Sequence, residues 1–509
     1  MSKTNSAALP SGYRSMKAYI ILKCSVSRDS GFGGQPGSLT VISLRGTFAL
    51  DIVDEPSVAY FDVSIDDEED TSTGSAANLT LGKLWLRDCI KNHSLCTKVI
   101  AQQRTKFHPR RVINLEDPQK PFVQVMSSPS VPYAALSYAW GEGYRFLTLK
   151  ANFAQHQTCL PVHALPRTFL DALRVAELVG ATHLWIDALC IIQDEPADLD
   201  AELPIMGDIY RHAVFTIYAE GSSSTQSGLF RARDPKAYQP CTVEVAGVSP
   251  DPESKTRWTL ATRVAGPDYL KARSWCLQEE VLTSRFLCLG KQMSWRCITS
   301  VASETRPTPR PQNNALTDVM AGEVSRLRMW LYAAADMALS SREKWLRRNH
   351  FDAWYDVVEE YSRRQLRAVS DNVKALSGLA AVFARAHGTG YAAGLWEGDL
   401  QVGLGWYVAL NDERPVREAG GPSWSWAAVG KVRLKFRHWE AHADNLVGEG
   451  VEVLEGRCEV VEEINPYGAV RLGLLRLRGR VWKGVLGWTK DQSRRFGQVW
   501  LRLLALSLS

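Results

Sequence analysis

The chain has 509 residues, more than one hydrophobic core ordinarily organises, so two or three domains are expected. Its composition, 45% hydrophobic and 23% charged, is ordinary for a soluble globular protein. Sixty Lys and Arg stand against 55 Asp and Glu for a net charge of +5, and no Lys/Arg run occurs; nucleic-acid binding by bulk charge is thereby excluded.

Ten sparse, irregularly spaced cysteines point to free thiols in a reducing, cytoplasmic setting. The opening "MSKTNSAALPSGYRSMKAYIILKCSV" has a short apolar run without a small-residue cleavage site, so a secretory signal is not expected. No apolar stretch reaches the roughly 18 residues that span a bilayer. Residues 1–80 read as short strands and loops, ending in the acidic "DDEEDTSTGSAAN", whose charge predicts a solvated loop.

A helical lead-in follows over 81–129. In "LGKLWLRDCIKNHSLC", Leu81, Trp85, Cys89 and His93 fall four apart on one face. Cys89, His93 and Cys96 share one side and raise the question of zinc. Structural sites need four ligands, so packing is the preferred reading and no metal site is expected.

Over 130–305 the pattern is regular. "YAALSYAW" predicts a buried strand stopping at Gly141. "LPRTFLDALRVAELVG" predicts a helix with a Leu170, Leu173 and Ala176 stripe and Gly180 as its C-terminal cap. "THLWIDALCII" predicts a second strand, "DLDAELPIMGDIYRHA" a helix starting near Pro204, and "AVFTIYA" a third strand. This alternation implies a parallel sheet with right-handed crossovers, whose ligands bind at the carboxyl ends of the strands. Trp140, Gly141, Asp187, Glu220 and Gly221 lie at or near those ends.

Asp187, inside an apolar run, must be partnered; it is either a ligand-site residue or a structural acceptor at a strand end. Cys190 as a nucleophile would need a base that nothing in the sequence supplies, so an inert buried thiol is preferred over a thiol hydrolase. "LSYAWGEG" matches neither phosphate-loop pattern, which disfavours a nucleotide triphosphatase.

In "RSWCLQEEVL", helical spacing puts Glu279 beside Trp275 at the border of an apolar arc, and Glu280 with Cys276 on the opposite, solvated side. A partly desolvated carboxylate beside an indole suits catalysis; a surface ion pair with Arg273 or Arg285 is the plain alternative. The strand "FLCLG" comes next. The Pro-rich "ETRPTPRPQNN" predicts a linker opening a region over 306–390, whose residues 318–387 are helical in pattern. From 391 to 509, "PSWSWAAV" and "VRLGLLRLRGRV" predict antiparallel β structure.

The blocks "YAALSYAWG", "LPRTFLDAL", "LWIDALCIIQD", "MGDIYRHAVFTIYA", "SGLFRAR" and "RSWCLQEEVLTSRFL" occur in that order. Together they resemble the signature blocks of the fungal heterokaryon-incompatibility (HET) domain. Flanking blocks "LWLRDCIKNHSLC", "EYSRRQL", "ALSGLA", "YAAGLW" and "PSWSWA" are similar to those of its multidomain members, so the resemblance spans most of residues 81–480. The tail from Val481 resembles nothing placed.

The resemblance implies a cytoplasmic effector of non-self recognition and programmed cell death, with an unidentified protein incompatibility partner. HET domains are in turn similar to Toll/interleukin-receptor (TIR) domains. This implies an α/β, TIR-like (flavodoxin-like), mostly parallel sheet flanked by helices, followed by a helical segment and the C-terminal antiparallel β region. Some TIR domains cleave NAD with a glutamate in a W-C-L-x-E helix, a spacing that Trp275, Cys276, Leu277 and Glu279 reproduce. By that resemblance Glu279 is the catalytic residue, and Ser137, Tyr138, Trp140, Gly141, Asp187, Arg273 and Trp275 bind the substrate. NAD is then a substrate and no cofactor is required. The alternative is a non-enzymatic signalling module that acts by self-association or partner binding.

Overall fold

The computed structural model describes residues 21–22, 38–43, 46–53, 71–103, 107–127, 131–143, 145–233, 241–246, 255–262, 266–311, 350–366, 372–409, 421–430, 432–436, 451–461 and 465–479. The acidic run Asp66–Asp70, the pattern-helical residues 318–349 and the tail from Val481 lie outside the described residues.

The central element is a nine-stranded mixed sheet. Its strands are β4 (Arg111–Asn114), β5 (Phe122–Val125), β6 (Ala134–Ser137), β7 (His183–Trp185), β8 (Thr216–Tyr218), β11 (Arg285–Leu289), β12 (Met293–Cys297), β13 (Ser300–Ser303) and β14 (Arg306–Pro311). They run in the order β14-β13-β12-β11-β8-β6-β7-β4-β5. The four inner strands, β7, β6, β8 and β11, are mutually parallel. Every residue of these four is buried, as strands covered on both faces must be, and this is why they read as unbroken apolar runs. The wings are antiparallel: β4 and β5 on one side, β12 to β14 on the other. β12 alternates buried and half-buried residues, the signature of a strand with one face turned outward. The expected parallel sheet is therefore the four-stranded centre of a larger mixed one.

Helix α1 (Ala76–Asn92) starts five residues before the predicted one, because Ser75 caps it by accepting a hydrogen bond from the Asn78 N–H at 3.1 Å. Helix α2 (Ser94–Gln103) follows at once. Helix α3 (Arg167–Val179) ends as predicted at Gly180, whose φ of +111° is left-handed. Its buried stripe is Phe169, Ala172, Val175, Ala176 and Val179, while Leu170 and Leu173 are only half-buried. The predicted second strand is cut short: β7 stops at Trp185, and Asp187–Cys190 forms a single helical turn. The next helix is broken around Pro204 into α4 (Pro196–Glu202), a 3-10 turn and α5 (Met206–His212).

The predicted Pro-rich linker is in part the edge strand β14. Its prolines stand at 307, 309 and 311, so the remaining N–H groups fall on one side, which an edge strand tolerates. A second, five-stranded antiparallel sheet joins β1 (Ile21–Leu22), β2 (Ser38–Ser43) and β3 (Gly46–Val53) to β9 (Cys241–Ala246) and β10 (Lys255–Thr262).

Helix α6 (Trp275–Leu282) leads into β11 and packs against α5 and against α8 (Lys374–His387). Leu277, Val281 and Leu282 belong to a second hydrophobic core built with α7 (His350–Ser362), α8 and the aromatic residues Trp354, Trp396 and Trp426. Among the described residues after 390 there are three two-stranded antiparallel pairs, of which Val451–Val460 with Val470–Gly479 is the longest.

Candidate functional site

Numbering only the parallel strands, β6, β7, β8 and β11 lie in the spatial order 2-1-3-4. The chain steps from β6 to β7 on one side, then crosses back to β8 on the other. The crevice at the carboxyl ends of β6 and β8 is thus the switch point at which open α/β sheets bind ligands.

Ser137 is the last residue of β6, and Tyr138 and Trp140 follow it. Asp187 begins the helical turn after β7, where its carboxylate accepts three hydrogen bonds. Tyr138 donates at 2.6 Å, the Trp140 indole at 2.8 Å and the Ala188 N–H at 2.6 Å. Burial pushes the Asp187 carboxyl above its usual range, and these three donors oppose the shift. The Gln193 amide donates to the Asp187 carbonyl at 3.0 Å and fixes the turn. Arg145 covers the Trp140 ring, its guanidinium 5.2 Å from the centroid.

Glu279 reaches this end of the sheet from α6. It is 5% exposed, and burial lifts its carboxyl to about 8. The Ser137 hydroxyl, the Arg273 charge and the Tyr210 hydroxyl favour the carboxylate, whereas Asp187 disfavours it. Oε2 of Glu279 and Oγ of Ser137 are both buried without a hydrogen-bond partner of ordinary geometry among the described residues. A carboxyl held among hydroxyls and one guanidinium, with an acceptor atom still unsatisfied, can stabilise a cation brought against it.

Ser137, Tyr138, Trp140, Asp187, Arg273 and Glu279 therefore belong to one neighbourhood. Gly141 borders it with φ +70°, and a Cβ there would meet the Ser224 Cβ at 2.3 Å, so the loop closes tightly on the 223–227 turn. Trp275 packs against both hydrophobic cores rather than against one apolar arc. A small cleft lined by Ser274, Tyr361, Arg364, Asn372 and Trp426 lies nearby, but none of the predicted site residues lines it.

Two sequence expectations are overturned here. Glu280 and Cys276, read as solvated, are both buried: Cys276 packs with Tyr218, Phe286 and Cys288 of the sheet, and Arg296 and Arg364 close over Glu280. Glu280 binds Arg364 at 2.9 Å and lies 3.8 Å from Arg296; although burial opposes it, these two cations hold its carboxyl below the usual range. Cys190 fits the inert-thiol reading, since burial pushes it up to about 12. Tyr210 was not foreseen. Its hydroxyl donates to the Leu136 carbonyl at 3.0 Å while facing Glu279, and its place on an amphipathic helix carries no signal for either contact.

No curated protein and no solved structure matches the chain. Residues 133–279 match the family model described as Heterokaryon incompatibility protein (HET), a span that ends on Glu279.

Proposed function

The chain carries a HET domain at residues 133–279, and from that premise we propose that it is an effector of heterokaryon incompatibility whose domain hydrolyses NAD at Glu279. The observation that carries this reading is the buried Glu279 carboxyl at the carboxyl end of the first parallel strand, its Oε2 without a hydrogen-bond partner of ordinary geometry among the described residues. The 2-1-3-4 strand order and the Trp275, Cys276, Leu277, Glu279 spacing support the likeness to TIR domains on which the substrate assignment rests.

The chemistry suits one carboxylate. The bond from the ribose anomeric carbon to the nicotinamide nitrogen breaks, and its electron pair neutralises the cationic ring, which leaves without a general acid. The ribosyl oxocarbenium ion that develops is stabilised by the Glu279 carboxylate, and water adds to it with loss of a proton. Tyr138 and Trp140, pinned by Asp187, supply aromatic surface for a planar ring. A cationic ring arriving beside Glu279 favours its ionised form.

NAD consumption by the concentrated full-length chain tests this. Glu279→Gln is expected to lower turnover by about 10²–10³-fold, the usual cost of losing a preorganised electrostatic group. The kcat/KM of the unchanged chain should rise with pH through about 8, as Glu279 loses its proton. Absence of turnover in both proteins, with undiminished killing by Glu279→Gln in cells, would sink the enzymatic reading. The second reading, a non-enzymatic module that signals by self-association, is favoured by the near-complete enclosure of Glu279, 5% exposed. Sedimentation of the full chain then distinguishes it.

A further inference from the structure

At the opposite edge of the parallel strands, four side chains that the proposed chemistry does not use converge. Cys89 lies on α1, His93 ends that helix, Cys96 lies on α2, and Cys297 is the last residue of β12. Their ligand atoms all lie within 4.8 Å of one another. Cys297 pairs across the sheet with Arg285, the first residue of β11, which places the cluster at the amino ends of the strands and away from Glu279. All three cysteines are free and fully buried.

We propose that Cys89, His93, Cys96 and Cys297 bind one structural zinc ion. Zn–S bonds of about 2.3 Å and a Zn–N bond of about 2.0 Å set tetrahedral S···S and S···N separations of roughly 3.8 and 3.6 Å. His93 Nδ1 lies 3.4 Å from Cys297 Sγ, close to that spacing.

The surroundings fit the same ion. Asp88 Oδ2 stands 3.6 Å from His93 Nε2, so the carboxylate orients the ring with Nδ1 toward the sulfurs. The Ser300 N–H donates to Cys297 Sγ at 3.2 Å, and Arg285 Nε donates to Cys89 Sγ at 3.1 Å. Three thiolates and Zn²⁺ sum to one negative charge, which the buried Arg285 guanidinium balances. The site is closed by four protein ligands, as structural rather than catalytic zinc is.

None of the four ligands falls within 133–279. They come instead from the two segments that flank it, and His93 and Cys297 are 204 residues apart. The ion fastens the lead-in helices to the β12–β13 turn and holds the HET sheet between them. Trp85, whose indole donates to the Pro307 carbonyl at 2.7 Å, ties α1 to β14 in the same antiparallel wing.

Elemental analysis of the full-length chain, purified without chelator, is expected to find about one zinc per chain. Cys297→Ser should take this to near zero, whereas His93→Cys, which keeps four ligands, should retain it. Cobalt substituted into the unaltered chain should give intense visible bands of a tetrahedral thiolate site, a readout that does not depend on any variant folding. Chelation should lower the melting temperature of the unaltered chain. A chain that holds no metal and gives only the weak spectrum of octahedral cobalt would overturn the proposal. So would a disulfide between any two of the three cysteines in protein kept under reducing conditions.

Discussion

Glu279 carries its proton at neutral pH in the resting protein, since burial lifts its carboxyl to about 8 against an unfolded value near 4.5. The folded state thus binds one proton more than the unfolded chain between these values. Stability is fully present below about 4.5 and is lost as pH rises through about 8. Glu279→Gln keeps the shape and removes the ionisation. It should leave the melting temperature nearly unchanged at pH 5 and raise it at pH 9, by an amount worth on the order of 3–5 kcal/mol. Equal melting temperatures at pH 9 would show that Glu279 is not desolvated. Glu280, one residue away, works in the opposite sense. Arg364, itself buried, and Arg296 hold it ionised, so its contribution is present at neutral pH and falls away only as pH drops through its lowered value. Glu280→Ala removes one of the two carboxylates on Arg364, leaving Glu360 at 3.3 Å, and should cost about 1.5–3 kcal/mol in urea unfolding at pH 7. The two substitutions therefore have opposite signs, a contrast that two glutamates on one solvated face would not show.

Helix α6 explains why adjacent carboxylates behave so differently. Seven of its eight residues are buried: α5 and α8 pack on it, Leu277, Val281 and Leu282 enter the second core, and Cys276 packs with Tyr218 and Phe286 of the sheet. Gly207 on α5 and Gly378 on α8 let these helices touch: a Cβ on Gly207 would lie 3.0 Å from the Gly378 Cα, and one on Gly378 would lie 2.8 Å from the Gln278 side chain. Gly378→Ala should push α8 off this crossing at a cost of about 1–3 kcal/mol, measured by denaturant unfolding. A neutral or stabilising result would mean that the crossing has room to spare. The sequence carried the inner strands and α3 clearly, since double-sided burial writes apolar runs and a left-handed cap calls for Gly180. It misassigned Glu280 because a helix wheel supposes one wet face, and the partners that dry this one, Arg296 on β12 and Arg364 beyond α7, stand at no helical spacing from it. It stopped at three metal ligands for a similar reason: Cys297 lies in a strand with no spacing relation to Cys89, His93 and Cys96. The Pro-rich run read as a linker because edge position, which excuses proline, is a property of the folded sheet.

At the scale of the whole molecule, the segment that matches the family is not enclosed by its own residues. Leu277 within it, and Val281 and Leu282 just past its end, are buried in the second core, with α7, α8 and the tryptophans that follow. The Ser274 N–H donates to the Gln365 carbonyl at 3.1 Å, and the Gln365 N–H returns a bond to the Ala272 carbonyl at 2.6 Å. A chain ending at residue 311 would keep all nine strands of the sheet and all four cluster ligands, yet expose this face of α6. Three side chains at about 1.5–3 kcal/mol each approach the whole stability of an ordinary domain, about 5–15 kcal/mol, before the loss of Arg364 from Glu280 is counted. The truncated chain is therefore expected to aggregate on expression or to bind a hydrophobic dye and to be cleaved rapidly near residues 270–285 by protease. Separately supplied residues 312–509 should restore protection of that segment if the second core is what it lacks. A truncated chain that stays monomeric and protease-resistant, with an unchanged melting temperature, would instead make the HET unit self-sufficient and reduce the second core to an appended body.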